Sequence, residues 1–274
     1  MSIELSRAGH PKEAWRTIAG VSLGGLVVLL FLGAFHHIVA PYAPGAANVG
    51  PALAAPSATF PFGTDLLGRD LWSETLHGLG VTISHAGVGF LIVLFAGGFA
   101  GQAVAHLLGK AGLALRLSAS VLVSLPTILL AILLSVLLGR EFFAFAVGLA
   151  ASPDAFLRAF DKACAVRAAP YSDFARASGF TDLALLRRDL LHELRETFIA
   201  TVARSLAAVT IVLSTMSFFG FGATPPDRDL GLMIASARTA LPDAWWTAIA
   251  PIGVLMLFLL AARLAAGLAG GERP

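Results

Sequence analysis

The chain is poor in charged residues and in cysteine. Only 13% of its 274 residues are Asp, Glu, Lys or Arg, and Cys164 is its 1 cysteine. Ordinary soluble domains carry about 25% charged residues, so this composition excludes a conventional water-soluble fold. A single cysteine excludes both an internal disulfide framework and a cysteine-based metal site. With 57% hydrophobic residues, the chain is expected to be an integral membrane protein.

Motifs for catalysis are also missing from the sequence. There is no GxxxxGK[ST] phosphate loop, no HExxH and no CxxC pattern, so nothing in the chain is suited to hydrolysing ATP or holding zinc. We therefore predict that it is not an enzyme and has no catalytic residue, no metal site and no cofactor of its own. The formal charge of +2 fits basic cytoplasmic loops, and no nucleic-acid partner is expected.

Long uncharged segments predict the membrane spans, because a helix needs about 20 apolar residues to cross a bilayer. Residues Thr17–Gly63 contain no charged residue. Their apolar part is long and has no clear small-residue cleavage site close behind it, so we expect a span, and a removable signal peptide is the alternative. We predict an all-α integral membrane protein with six transmembrane helices, at about residues 18–39, 80–107, 117–139, 141–162, 197–219 and 245–267.

The fourth of these spans is weak, because Phe142–Pro153 is a short uncharged segment. Its crossing is favoured by the positive-inside rule, since without it the basic residues after Arg158 would lie on the side opposite the basic N-terminus. With six spans, both termini are cytoplasmic. Of the 19 Lys and Arg residues, those then predicted to lie outside are Arg69, Arg140, Arg228 and Arg238.

Residues 169–194 form a polar island between apolar segments. Pro170 suits the first position of a short helix, and Gly179 suits its end, where a residue with positive φ is needed. Thr181 and Asp182 can then cap a second helix. On the first helix Tyr171, Phe174, Ala175 and Ser178 share one face, whereas Asp173 and Arg176 lie off it; on the second the apolar stripe is Leu183, Leu186, Leu190 and Leu194. An ordinary wet loop is the alternative interpretation.

This island resembles the EAA loop of permease subunits in bacterial ABC importers. Asp173, Phe174 and Ala175 correspond to the EAA triplet and Gly179 to the family's glycine. The chain departs from the family where a Leu-Pro pair is usual, since it has Leu191 followed by histidine. The resemblance implies that the short helix is a cytoplasmic coupling helix that docks on an ATPase subunit, with the residues Tyr171, Asp173, Phe174, Ala175, Arg176 and Gly179 in contact.

The segment before the second span carries a second, more specific motif. Asp70 can cap a helix that we expect to end near Gly78, and an interfacial helix without a partner is the alternative. The sequence FGTDxxGRDxxS resembles the hallmark of importer permeases for dipeptides, oligopeptides, nickel and opine-type metal chelates. The matching residues are Phe62, Gly63, Thr64, Asp65, Gly68, Arg69, Asp70 and Ser73.

The outer loop between the last two spans resembles the family's SFLGLGxxPPxPxWGxM element near the pore mouth. Leu230 stands where that element usually has Trp. Met233–Thr239 is a candidate short helix. The matching residues are Ser217, Phe218, Gly220, Gly222, Pro225, Pro226, Gly231 and Met233.

The resemblance covers almost the whole chain and implies the type I ABC importer permease fold. The implied partners are a second, non-identical permease subunit, two ATPase subunits that bind ATP and Mg, an extracytoplasmic solute-binding protein and membrane lipid, in the bacterial inner membrane. The predicted division is a cytoplasmic N-terminal segment 1–16, a permease domain 17–268 with outer segment 41–78, coupling loop 169–194 and outer loop 220–244, and a cytoplasmic tail 269–274.

The implied activity is import of small peptides or of nickel or metal-chelate complexes by alternating access. An ion-coupled secondary transporter is the alternative, but it would need ionisable groups at mid-membrane depth, and the spans show almost none. The histidines are expected to be interfacial or packed side chains, and the alternative is transient contact with a metal cargo. The histidines concerned are His36, His37, His77 and His85.

Overall fold

The structure is a computed structural model that describes residues 11–108, 111–196, 198–224 and 227–269. Regular structure in these residues is helical, and Thr64 and Asp70 form an isolated antiparallel bridge. The all-α prediction is confirmed for this part of the chain. The predicted terminal segments 1–16 and 269–274 lie mostly outside the described residues.

The helices follow one another with few long connections. In the first half of the chain they are α1 (Pro11–Ala34), α2 (His36–Val39), α3 (Leu71–Ile92), α4 (Ala100–Leu107), α5 (Gly112–Val123) and α6 (Thr127–Leu138). In the second half they are α7 (Phe143–Arg167), α8 (Pro170–Ala177), α9 (Asp182–Glu196), α10 (Phe198–Phe218), α11 (Leu230–Ala237) and α12 (Trp246–Ala269). A π-helical stretch, Val93–Phe99, joins α3 to α4.

Several helices have the length and hydropathy of a membrane span. Among the described residues there are four: Leu71–Leu107, Arg140–Arg167, Thr201–Phe218 and Trp246–Gly267. A fifth is formed if α5 and α6 together make one bent span, and Gly20–Ala34 is a shorter apolar helix. The chain is therefore a multi-span membrane protein, and the count of six spans stays a prediction.

The third predicted span breaks at Pro126. Proline lacks the N–H that an uninterrupted helix would use, and Pro126 has φ −56° and ψ 125°, outside the helical region. The axes of α5 and α6 differ by 99°. The break at Pro126 is therefore a sharp corner between two helices.

The segment before the second span differs from its prediction in one respect. Asp70 caps α3 as predicted, because its Oδ2 accepts from Ser73 N at 3.0 Å and from Ser73 Oγ at 2.7 Å. The helix does not end near Gly78, however, and the prediction of that end was wrong. Gly78 lies inside α3 where a Cβ would come within 2.7 Å of Met233 Sδ, so this glycine permits close packing and does not stop the helix.

Contacts divide the chain into two compact units. The first comprises the described residues of Met1–Ile83, Ile199–Ala208 and Pro226–Pro274. In it α1 packs against α12. Its core includes Leu26, Leu71, Leu79, Ala207, Leu230, Met233, Phe258 and Ala262.

The second unit comprises the described residues of Ser84–Phe198 and Val209–Pro225. It is arranged around α7, which packs against α4, α5, α6 and the π-helical stretch. Small residues permit this packing: a Cβ at Gly97 would lie 2.9 Å from Ser152 O, and one at Gly101 would lie 2.5 Å from Phe156 O. Gly87 differs, because a Cβ at this position would face open space.

Candidate functional sites

The polar island forms two helices that meet at a glycine, as predicted. Pro170 opens α8, and Ser172 fastens it to the end of α7 because its Oγ donates to Val166 O at 2.7 Å. Gly179 has φ +90°, and Phe180 N donates to Ala175 O at 3.1 Å. This bond pattern and the positive φ are those of a Schellman helix end. The turn geometry therefore requires glycine at this position.

The short helix α8 presents an exposed phenylalanine. The Phe174 residue is 75% exposed, whereas Ala175 and Ser172 are 9% and 2% exposed. The predicted common face is thus divided: Ala175 packs inward and Phe174 and Ser178 remain exposed, together with Asp173. The side chains of Tyr171 and Arg176 lie outside the described part of the structure.

The apolar stripe predicted for α9 is partly wrong. Thr181 caps the helix through a 3.3 Å bond from Ala184 N to its Oγ1, as predicted. Leu183, however, is 64% exposed, and the buried pair is Leu185 and Leu186 at 2% and 7% exposure. The helix is therefore rotated from the predicted orientation, and Asp189 lies half-buried near this packed side.

In this orientation α9 contributes to a cluster of polar contacts, which we call the α4–α9 polar cluster. Its members are His106, Arg167, Asp182 and Asp189. His106 Nε2 lies 3.1 Å from Asp189 Oδ2, with the histidine side chain fully buried. Arg167 donates to His106 O at 2.8 Å and also to Ala105 O. Its guanidinium lies 3.9 Å from Asp182 Oδ1. The cluster joins the end of α4 to α7 and α9.

Sequence reasoning missed this cluster. His106 and Asp189 are 83 residues apart along the chain, and Asp189 is not one of the leucines of the predicted stripe. One signal was available in the sequence: a histidine and a carboxylate lie next to predicted apolar faces. Buried polar side chains need hydrogen-bond partners, so these two residues were candidates to pair with each other.

In the first unit the FGTDxxGRDxxS residues fold a compact turn before α3. Gly63 and Gly68 have φ values of +75° and +65°. Thr64 is buried, with its Oγ1 donating to Pro51 O at 2.5 Å and accepting from Ala54 N at 2.8 Å. Asp65 Oδ1 accepts from Leu67 N at 2.8 Å and from Arg69 N at 3.0 Å. The motif therefore has a local structural role in this turn.

A buried carboxylate ties this turn to the segment that leads into α11. Glu74, 5% exposed, lies 3.0 Å from Arg228 Nη1 and 3.7 Å from Arg69 Nη1. Its Oε1 accepts from Gly45 N at 2.6 Å. Sequence reasoning passed over Glu74 and placed Arg228 only by topology. The network contains both charge signs, as a buried carboxylate requires.

The predicted outer-loop residues are divided between the two units. In the second unit, Gly220 ends α10 with φ +83°, and a Cβ at Gly222 would collide with Ser217. Ser217 is buried and its Oγ accepts from Ala223 N at 3.1 Å. In the first unit, Asp229 caps α11, which starts before the predicted Met233 and buries Gly231 and Met233. Pro225 and Pro226 lie outside the described residues.

Three of the four singled-out histidines come together. His36, His37 and His77 each place one ring nitrogen within 4.8 Å of the other two. His85 does not join them, because its ring packs edge-on against Phe143 with the centroids 4.7 Å apart.

The class of protein that the fold and these sites define is a helical, multi-span membrane protein with a structured polar loop. No family model matches the chain. The chain is 30% identical over 259 residues to the peptide transport system permease protein SapC of Haemophilus influenzae, covering 89% of this chain and 85% of that protein.

Two further relatives agree with this likeness. The di/tripeptide transport system permease protein DppC of Pseudomonas aeruginosa is 29% identical over 266 residues, covering 92% and 88% of the two chains. SapC of Salmonella typhimurium is 28% identical over 269 residues, covering 93% and 91%. The chain belongs to the family of peptide transport permeases, the membrane subunits of ABC importers related to the dipeptide and oligopeptide systems.

Proposed function

We propose that the chain is one permease half of an ATP-driven importer that moves small peptides across the bacterial inner membrane by alternating access. The observation that carries this proposal is the exposed Phe174 on α8, a helix whose other side is fixed to the protein. An apolar ring held rigidly at the surface is suited to a pocket on a partner protein.

Two contacts connect α8 and α9 to apolar helices and would transmit a movement of the loop to them. Ser172 of α8 is hydrogen-bonded to Val166 of α7, and Asp189 of α9 contacts His106 of α4. Helix α4 is the end of the span candidate Leu71–Leu107. Because a buried polar pair has few alternative partners, α4 and α9 should move together.

The proposed partners of this importer are those that the family resemblance implies. They are a second, non-identical permease subunit, two ATPase subunits that bind ATP and Mg, and an extracytoplasmic solute-binding protein. Both termini and the loop 169–194 then lie in the cytosol. Small peptides are the proposed cargo because the relatives' names specify peptides, and nickel or a metal chelate is the alternative cargo from the sequence motif.

The first test removes the exposed ring. Phe174→Ala should insert normally, since the ring is 75% exposed, but should lower recovery of the ATPase subunits by about tenfold or more, as loss of an apolar anchor predicts. Phe142→Ala is the matched control, because Phe142 is 53% exposed at the other end of α7 and is not assigned to docking. Equal ATPase recovery with both variants would contradict the proposal.

A further inference from the structure

The three clustered histidines lie where the α1–α2 turn meets α3 in the first unit. The ring centroids are 3.8 Å apart for His36 and His37, 5.1 Å for His36 and His77, and 5.6 Å for His37 and His77. His77 is 6% exposed, His36 is half-buried and His37 is exposed. The cluster therefore has a closed inner side and an open outer side.

Hydrogen bonds define the tautomers of two of the rings. His36 Nδ1 lies 2.7 Å from Gly33 O, and His77 Nε2 lies 2.8 Å from Tyr42 O. Since a carbonyl oxygen only accepts, each of these nitrogens carries a proton, and when the ring is neutral the other nitrogen has none. Nε2 of His36 and Nδ1 of His77 are then left with lone pairs. Nδ1 of His77 is buried and has no hydrogen-bond partner within the described residues.

This arrangement is the one that metal-binding histidines use. Such histidines bind through one nitrogen while the other donates to a backbone carbonyl or a carboxylate, which orients the ring. In His36 and His77 that second contact already exists. A buried imidazole nitrogen with a lone pair and no donor nearby is costly unless a ligand occupies it.

The backbone beneath the cluster is shaped to hold the His36 ring. A Cβ at Gly80, one turn after His77, would overlap His36 Nδ1 and Cε1. Glycine at this position on α3 thus allows the ring to lie directly on the helix backbone. The result is a ring that is held in place by α3 on one side and by Gly33 O on the other.

We propose that His36, His37 and His77 bind one first-row transition-metal ion and thereby clamp α2 to α3. Neutral imidazoles suit zinc, nickel and copper, whereas magnesium and calcium prefer oxygen ligands. Tetrahedral coordination with bonds of about 2.0–2.1 Å places ligand nitrogens about 3.3 Å apart. The three ring nitrogens, now within 4.8 Å of one another, would have to move closer together on binding the ion, and the fourth coordination position would be left for water.

The test measures metal binding by the full-length chain in detergent, purified without a polyhistidine tag and stripped with a chelator. Zinc, nickel and magnesium are titrated separately by calorimetry, and bound metal is counted by elemental analysis. The proposal predicts one zinc or nickel ion per chain and no magnesium. Because it needs neither transport nor partner subunits, the result is independent of the proposed function.

Variants assign the binding to the cluster. His37→Ala should weaken zinc binding by on the order of 100-fold, since removing a ligand should cost at least as much as removing a ligand's supporting contact. Because His37 is exposed, this variant should fold. His85→Ala removes a histidine of the same helix as His77 but outside the cluster, and should bind zinc like the unaltered chain. Absence of zinc and nickel binding, or equal binding by both variants, would overturn the proposal.

Discussion

At the scale of single residues, two glycines end helices in the same way. Gly179 and Gly220 have φ +90° and +83°, and the residue after each donates back to the helix, from Phe180 to Ala175 at 3.1 Å and from Phe221 to Met216 at 2.8 Å. A Cβ at either glycine would have no neighbour within 4 Å. Glycine is needed there for backbone conformation alone.

Other glycines show why the sequence alone could not distinguish glycines needed for backbone conformation from those needed for close packing. Gly87 and Gly89 are two residues apart on α3, yet a Cβ at Gly87 would meet nothing, whereas one at Gly89 would lie 2.6 Å from Val209 Cγ1. Gly179 was predictable because a cap signal follows it directly. The difference between Gly87 and Gly89 depends on which helix packs nearby, and that contact is distant in sequence.

The residue-scale prediction concerns Gly179→Ala. An L-residue in the left-handed region costs roughly 1–2 kcal/mol, so the turn between α8 and α9 should lose its geometry. We expect normal membrane insertion and at least a severalfold loss of peptide uptake in vesicles, with Gly179→Asn retaining more uptake because asparagine tolerates this conformation.

The matched control for this variant is Gly87→Ala. Gly87 lies inside α3, where alanine is the better helix former, and the new Cβ meets open space. Uptake should therefore be unchanged. Equal uptake by the Gly179→Ala and Gly87→Ala chains, at equal amounts in the membrane, would contradict the role assigned to the turn.

At the scale of elements, α9 shows which properties of a helix the periodicity of the sequence can predict and which it cannot. Its existence, its cap at Thr181 and its amphipathic character were predictable from residues 181–194. Its rotation was not, because two overlapping rows of leucines fit a helical period and Leu183 belongs to the exposed one. In the structure α9 is oriented so that Asp189 contacts the fully buried side chain of His106 on α4.

The same limit applies to α3. The apolar pattern and the Asp70 cap correctly predict a helix, but its end is wrongly predicted to lie near Gly78. In the structure Gly78 and Gly80 are contact points for Met233 and His36. A glycine inside a helix and a glycine at its end look alike in sequence until the partner is known.

The element-scale prediction removes one side of the contact between α4 and α9. Asp189→Ala leaves His106 Nε2 without this partner in a buried position, which costs about 1–3 kcal/mol. We expect a lower melting temperature in detergent and weaker stimulation of ATPase activity by substrate. The double variant His106→Leu with Asp189→Leu should recover much of the stability, because neither polar group of the pair then remains.

The control for the loss of a carboxylate is Asp243→Ala. Asp243 is exposed in the outer loop, outside the predicted spans, and substitutions at exposed positions away from packed or hydrogen-bonded features change stability by about 0.5 kcal/mol or less. This variant should therefore melt close to the unaltered chain. A melting temperature for Asp189→Ala equal to that of Asp243→Ala would show that the α4–α9 polar cluster does not connect these helices.

At the scale of the whole molecule, membership of the permease family rests on likeness along most of the chain. The weak fourth span, predicted from the balance of positive charge, coincides with a helix long and apolar enough to cross, Arg140–Arg167. The first predicted span contains the shorter apolar helix Gly20–Ala34. The charge distribution could predict that this fourth segment crosses, whereas the 99° angle between α5 and α6 and the division into two units depend on packing.

The whole-molecule prediction concerns the side of the membrane on which α8 lies and the protein that it contacts. Cys164 is the only cysteine, so Cys164→Ala with Ala177→Cys keeps Phe174 and gives a chain whose one reactive thiol lies at an exposed position of α8. A matched chain, Cys164→Ala with Leu67→Cys, places the thiol on the outer segment, where Leu67 is 53% exposed. Both replaced side chains are exposed, so both chains should fold and insert.

The most direct test of the account is bifunctional maleimide cross-linking of these two chains in transport-competent vesicles, together with labelling by a membrane-impermeant maleimide from each side. The account predicts that the thiol on α8 cross-links to the ATPase subunit in an ATP-dependent manner and is labelled from the cytosolic side. The thiol on the outer segment should be labelled from the opposite side. Labelling of both thiols from the same side, or an active transporter in which the α8 thiol is accessible and cross-links to no ATPase subunit, would contradict the account.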